Sequence, residues 1–221
     1  MGATPTRAGT ERAELLRDLL ASLMGADQIA AHAVLERALR LGWSADDVRF
    51  ELITPALHEV GERWARKEIG VGDEHLATSV CESLLATMAG RTSRAPASGR
   101  RAVVGCSEGE LHTLAARMVA NVMTEAGWTV LFLGASTPAG AWSPIVRSRH
   151  ADAAVISTTM PKGVASVRPT LRSIREARPG CLLAVGGQAY AGRRGDGRRL
   201  GADLVAEDPR ELVQAALALR R

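Results

Sequence analysis

The sequence predicts an α/β chain in two parts: a four-helix bundle at residues 10–90, then a five-stranded parallel sheet with covering helices at residues 101–221. Three observations carry this reading. Up to about residue 90 the apolar residues recur only at helical spacing. Beyond residue 101 short β-rich runs alternate with amphipathic segments. Between them "AGRTSRAPASGRR" (residues 89–101) has Gly, Ser, Pro and Arg without a hydrophobic period, which places a linker at residues 91–100. With 221 residues, 46% of them hydrophobic, the chain is long enough to bury a core in each part.

The first helix is marked by Leu15, Leu16, Leu19, Leu20 and Leu23, the second by Ile29, Val34, Leu35 and Leu39. Turn signals separate the helices at "MGADQ", "LGWSADD" and "EIGVGDE". The third helix carries the seam Val48, Leu52, Ile53, Leu57, Val60 and Trp64, with Ser44 as N-cap and Pro55 as a kink. On that seam Trp64 is expected to point inward. The chain then reverses at Gly70 and Gly72, and Asp73 caps or opens a fourth helix running to about Met88. In the second part the strands are "AVVGC", "WTVLFLG", "DAAVIST", "CLLAVGG" and "ADLVAE", and helical segments begin near His112, Pro138, Val164, Arg193 and Pro209. Near-continuous apolar strands alternating with helices imply a parallel sheet covered on both faces, a flavodoxin-like (Rossmann-type) domain.

Composition narrows the function. No apolar run is long enough to cross a bilayer, and "MGATPTRAGTERAE" lacks the apolar stretch of a secretory signal, so a cytoplasmic location is expected. Cys81, Cys106 and Cys181 are odd in number and set among apolar neighbours, which fits buried thiols better than disulfides or a zinc site. The net charge of +4 comes largely from arginines such as Arg193, Arg194, Arg198 and Arg199. Without a helix-turn-helix or an aromatic-interleaved patch, these read as a solvated basic face rather than a nucleic-acid site. Aromatics are too few for a flavin or base-stacking platform.

In an open parallel sheet, ligands bind beyond the carboxyl ends of the strands, where strand order reverses. That edge would be built from "CSEGELHTLA", "GASTP", "STTMPKG" and "GGQAYAG". These loops are rich in Gly, Ser and Thr, and His112 is their one residue suited to a transition metal. Glu110, two positions earlier, is placed to accept a hydrogen bond from the other ring nitrogen, fixing the tautomer and raising ligand basicity. Taken alone, His112 reads equally as a polar loop residue before a helix. No Walker sequence or dinucleotide fingerprint is present.

These residues resemble the cobalamin-binding signature D-x-H-x-x-G, with Glu110, His112 and Ala115 at its three positions. Ser157 and the pair Gly186-Gly187 match the later serine and double-glycine elements, and Thr159 lies in the same loop as Ser157. The resemblance implies that His112 is the lower axial cobalt ligand, replacing the cofactor's own base. It also implies that the displaced nucleotide tail enters the sheet domain between the serine and glycine loops, where glycines admit close backbone approach. Glu110 is a methylene longer than the family's Asp, and Ala115 stands where the family has Gly.

The stretch "RWARKEIGVGDEHLATSV" (residues 63–80) extends the likeness. Its Trp, nine residues, then Glu-His resembles the signature of the CarH/LitR adenosylcobalamin photoreceptors. By that resemblance the bundle caps the upper corrin face, Trp64 shields the upper axial group, and Glu74, His75 and Val71 approach the adenosyl moiety. Those photoreceptors begin with a MerR-type DNA-binding domain, and the residues ahead of this bundle are too few for one. In the best-known type a His follows the Trp and captures cobalt after photolysis; here that position is Ala65, leaving His75, His58 or water. The expected function is therefore a cobalamin-binding photoreceptor or sensor without catalytic activity. It would act through self-assembly or a protein partner such as a transcription regulator, with no direct sequence-specific DNA binding and no membrane. The alternative is a corrinoid methyl carrier of a methyltransferase system.

Overall fold

A computed structural model describes residues 7–206 and 209–218 of the chain. It divides into two units, Met1–Thr92 and Ser93–Arg221.

In the first unit α1 (Arg7–Met24) buries Leu15, Leu19 and Leu23, one residue per turn, and leaves Leu16 and Leu20 half-buried. α2 (Gln28–Arg40) is capped by Asp27, whose carboxylate accepts from the Ala30 N–H at 2.9 Å, and buries Ala31, Val34, Leu35 and Ala38. Ile29 does not join that seam: it is 85% exposed. It lies about 200° around the helix from Ala31 and so faces away.

Ser44 opens the third helical stretch through a capping box, its Oγ accepting from the Asp47 N–H at 3.1 Å while the Asp47 carboxylate accepts from the Ser44 N–H at 2.9 Å. α3 (Ala45–Asp47) runs directly into a π-helical segment, Val48–Ile53, and then α4 (Thr54–Ala65). Pro55 explains the wider turn. It has no N–H to donate and its ring crowds the carbonyl four residues back; a π turn relieves both. The Thr54 N–H and Oγ1 both reach the Arg49 carbonyl, the hydroxyl at 2.8 Å. The proline's effect is therefore a π segment rather than a simple kink.

α5 (Val71–Ala89) starts where the Asp73 carboxylate accepts from the Gly70 N–H at 2.8 Å, and it buries Ala77, Val80, Cys81, Leu84, Leu85 and Met88. Each fully buried leucine contributes about 2 kcal/mol, so these stripes hold the bundle together. Between Val60 and Ala77 no hydrophobic residue is buried. Trp64 therefore departs from its expected inward position and is 42% exposed. α4 ends one residue later, and the last turn of α4 and first turn of α5 run past the core they would otherwise cover.

The second unit begins with a fastened segment: the N–H groups of Ala95 and Ser98 donate to Glu125 O and Gly127 O at 2.7 and 2.9 Å. Its sheet contains β1 (Arg101–Cys106), β2 (Thr129–Gly134), β3 (Ala153–Ser157), β4 (Leu182–Gly186) and β5 (Leu204–Ala206), all parallel, in the order β2-β1-β3-β4-β5. The connecting helices are α6 (Leu114–Glu125), α7 (Ala139–Ser148), α8 (Val164–Ala177) and α9 (Arg194–Arg199), followed by α10 (Pro209–Ala218). α6 packs on α10 and α7 on α8. β1, β3 and β4 are buried almost throughout, as continuous apolar runs require. Trp142, Val146, Val167, Leu171, Ile174 and Tyr190 fill the core against them. Strand order reverses between β1 and β3, so the switch point lies at their carboxyl ends. Among the described residues no helix is long and apolar enough to cross a membrane.

Candidate functional site

The loop after β1 folds back over its own strand. The Glu110 N–H donates to Ser107 O at 3.0 Å, and the Cys106 thiol faces the His112 carbonyl at 3.6 Å. This drives the Glu110 side chain inward, where it is 1% exposed. One carboxylate oxygen accepts from the His112 N–H at 2.9 Å and from His112 Nδ1 at 2.5 Å. The other accepts from the N–H groups of Thr159 and Met160, both at 2.7 Å. Burial pushes this carboxyl up, but the hydrogen bonds from the His112 ring and from the backbone of His112, Met160 and Thr159 outweigh it and bring the pKa down to about 2. Glu110 is thus ionised at neutral pH. The His112 side chain is 46% exposed at the sheet's edge; in a neutral ring that donates Nδ1–H to Glu110, the lone pair falls on Nε2.

The neighbouring loops are tied in. Ser136, after β2, donates its N–H to Glu110 O at 2.8 Å and accepts from the Gly109 N–H at 3.0 Å. Thr158 Oγ1 donates to Ser107 Oγ at 3.0 Å, and the Thr158 N–H donates to Gly186 O at 2.8 Å. Gly187 has φ +105° and packs so closely that a Cβ there would lie 2.3 Å from Thr158 O. The glycine is thus required by the β3 and β4 loops themselves, irrespective of any ligand.

Of the residues singled out from sequence, Glu110, His112, Ser157, Thr159, Gly186 and Gly187 lie together at the carboxyl ends of β1, β3 and β4. Ser157 is buried and in register with Cys106 on one side and Gly186 on the other. Trp64, Val71, Glu74 and His75 lie in the other unit, around the α4–α5 turn. Val71 is 57% and Leu76 53% exposed, which with Trp64 gives three large apolar residues in solvent at one end of the bundle. The Glu74 carboxylate accepts from Thr78 Oγ1 at 3.0 Å and stands 3.5 Å from His75 Nε2. Ala65 closes α4, and His58 is exposed on the same helix.

Sequence reasoning missed Met160, Ser136, Ser107 and Thr158. The hydroxyl-rich "GAST" and "STT" loops were the available signal. Cys81, Cys106 and Cys181 are free and buried, and burial pushes each thiol up to about 12, leaving none as a thiolate.

An imidazole hydrogen-bonded to a buried carboxylate is, in its neutral form, a donor type that suits a transition metal. Two family models match the chain, both described as a B12 binding domain, one over residues 15–88 and the other over residues 100–218. Among characterised relatives, the HTH-type transcriptional repressor CarH of Myxococcus xanthus is 29% identical over 141 residues, 63% of this chain and 46% of that protein. The repressor CarA of the same organism is 35% identical over 89 residues, 40% of this chain and 29% of CarA. The chain thus spans less than half the length of these relatives. Among solved structures, the monomethylamine corrinoid protein of Methanosarcina barkeri superposes with a TM-score of 0.82 at 17% identity, over 95% of this chain and all of that one. The methanol:cobalamin methyltransferase complex MtaBC of the same organism gives 0.52 at 14% identity, over 99% of this chain and 86% of that one. These likenesses show the fold. With both units matched, the second match alone covering more than half of the length, the chain belongs to the B12 binding domain family.

Proposed function

We propose that the chain is a sensor of light or of cobalamin that takes adenosylcobalamin with His112 as lower ligand and signals through self-assembly or a protein partner. The observation that carries the sensor reading is the bare apolar end of the bundle: Trp64, Val71 and Leu76 in solvent beside Glu74 and His75. Each is a large apolar side chain exposed near the α4–α5 turn, the kind of group that a bound ligand would cover. An adenosyl group offers what they lack: an apolar ring face for Trp64, and ribose hydroxyls for Glu74 and His75. The likeness to CarH and CarA, transcriptional repressors by name, supports a regulatory role.

The bound corrinoid would supply a cobalt–carbon bond that light can break. The chain's own part is threefold. His112 would hold the corrinoid through Nε2, Glu110 would accept the Nδ1–H hydrogen bond and keep the ring aimed, and the α4–α5 turn would keep water from the bound group. Because Ala65 offers no ligand, His75, His58 or water would take the upper position after photolysis.

The test is the absorption spectrum of the protein with adenosylcobalamin, before and after green light, for the native chain and His112→Ala. The native chain should show base-off cofactor with histidine ligation and a light-induced change. His112→Ala should lack the histidine signature and lose cofactor on gel filtration. An unchanged spectrum in the variant refutes the ligand assignment. Histidine ligation with no response to light points instead to a methyl carrier.

A further inference from the structure

We infer that Glu110 is the hub around which the loops after β1, β2, β3 and β4 are assembled before any ligand arrives, so that a corrinoid meets a cradle already in place. The inference rests on the cobalamin reading only for the identity of the ligand. A carboxylate can accept about four hydrogen bonds, and here all four positions are used. Three of the donors are main-chain N–H groups, from His112, Thr159 and Met160, at 2.7–2.9 Å. The carbonyl of the same residue accepts the Ser136 N–H at 2.8 Å. Glu110 therefore joins the loops after β1, β2 and β3 directly. The loop after β4 is joined at one remove: Thr158 donates its N–H to Gly186 O at 2.8 Å, and its carbonyl accepts the Ala189 N–H at 3.2 Å.

The length of the side chain is part of the device. Its two oxygens face different loops, and a carboxylate one methylene shorter cannot serve both without a backbone shift. Loop residues held this way have lost their conformational freedom during folding, so ligand binding does not have to order them. Glu110 is in this sense a positioning residue for the cradle as well as for His112.

Hydrogen–deuterium exchange on the cofactor-free chain is the first arm of the test. The segment 158–163 should already be protected, and adding aquocobalamin should slow its exchange by less than about threefold. Rapid exchange that becomes slow only on addition of aquocobalamin would overturn the inference, whatever the variants do. A protected segment in a chain that fails to bind aquocobalamin leaves the hub standing and removes the cobalamin reading instead.

The second arm compares Glu110→Asp, Glu110→Gln and His112→Ala. Both Glu110 variants should exchange the segment about tenfold faster, the size expected for losing a charge-assisted hydrogen bond, with unchanged circular dichroism. His112→Ala should leave it protected. Glu110→Asp keeps the charge, so a loss there reports reach. In stopped-flow mixing with aquocobalamin, Glu110→Asp should slow association about tenfold, whereas His112→Ala should mainly speed dissociation. A purely stabilising role would lower the melting temperature without that split. Equal exchange in His112→Ala and the Glu110 variants, or native exchange in both Glu110 variants, would overturn the proposal.

Discussion

Burial by itself would favour the neutral acid at Glu110, and the four N–H donors reverse that preference, bringing its pKa from an ordinary 4.5 to about 2. Because the folded value is depressed, the unfolded chain binds more protons between these two values. The stability contributed by Glu110 is then complete above about 4.5 and lost as pH falls through about 2, in total on the order of 3 kcal/mol. Acid unfolding of the cofactor-free protein should show this loss, and Glu110→Gln should flatten that part of the profile; an unaltered slope would assign it to other carboxylates. Glycines give a second contrast. At Gly187 a Cβ meets Thr158 O at 2.3 Å with φ at +105°, whereas at Gly42 φ is +89° but nothing lies within 4 Å. Gly187→Ala should cost about 3 kcal/mol and Gly42→Ala about 1 kcal/mol, read from urea unfolding midpoints. Equal losses would mean that the loops after β3 and β4 yield easily. The sequence exposes His112 and the glycine pair through their residue types. It hides Met160 and Ser136, since any residue but proline can donate a main-chain N–H. Thr159 joins the site through its N–H to Glu110, a use its side chain does not announce.

Strands and helices were legible wherever burial is periodic or continuous. β1, β3 and β4 read as apolar runs because both of their faces are covered, and the capping of α3 by Ser44 is a local pattern within four residues. The π segment Val48–Ile53 was not legible. A proline announces that a hydrogen bond is missing, but which neighbouring turn widens depends on the packing of Val48, Leu52 and Ile53. Trp64 departs from its expected inward position for a related reason. Helical spacing extends the seam to it, yet only tertiary structure shows that no hydrophobic residue between Val60 and Ala77 is buried. That exposure sharpens its prediction. A side chain 42% exposed at the end of a helix carries little of the fold, so Trp64→Ala should change stability by less than about 1 kcal/mol and leave the helical circular dichroism intact. The preference for adenosylcobalamin over methylcobalamin should fall about tenfold, as loss of one aromatic contact implies. A lower melting temperature with unchanged selectivity would return Trp64 to a structural role.

On the scale of the molecule, charge is segregated. Residues 1–92 carry 10 Lys and Arg against 14 Asp and Glu, while residues 93–221 carry 18 against 10. An acidic unit on one copy and a basic unit on another attract each other, and such attraction is screened over about 8 Å at physiological ionic strength. The proposed signal is a change in assembly, because on that reading loss of the upper ligand would uncover Trp64, Val71 and Leu76. A ligand shifts an equilibrium only by its differential affinity for the two states, so the dark and illuminated forms must differ in what they bind. Light scattering coupled to gel filtration, in the dark and after green light, should therefore give different masses or different retention of a partner regulator. Raising salt should weaken the associated form if the charged units make the contact, and should leave it intact if the bare apolar surface makes it. Identical mass, shape and partner binding in both light conditions would end the light-sensor reading, and weight would move to a methyl carrier, whose cobalt must be open to a separate enzyme.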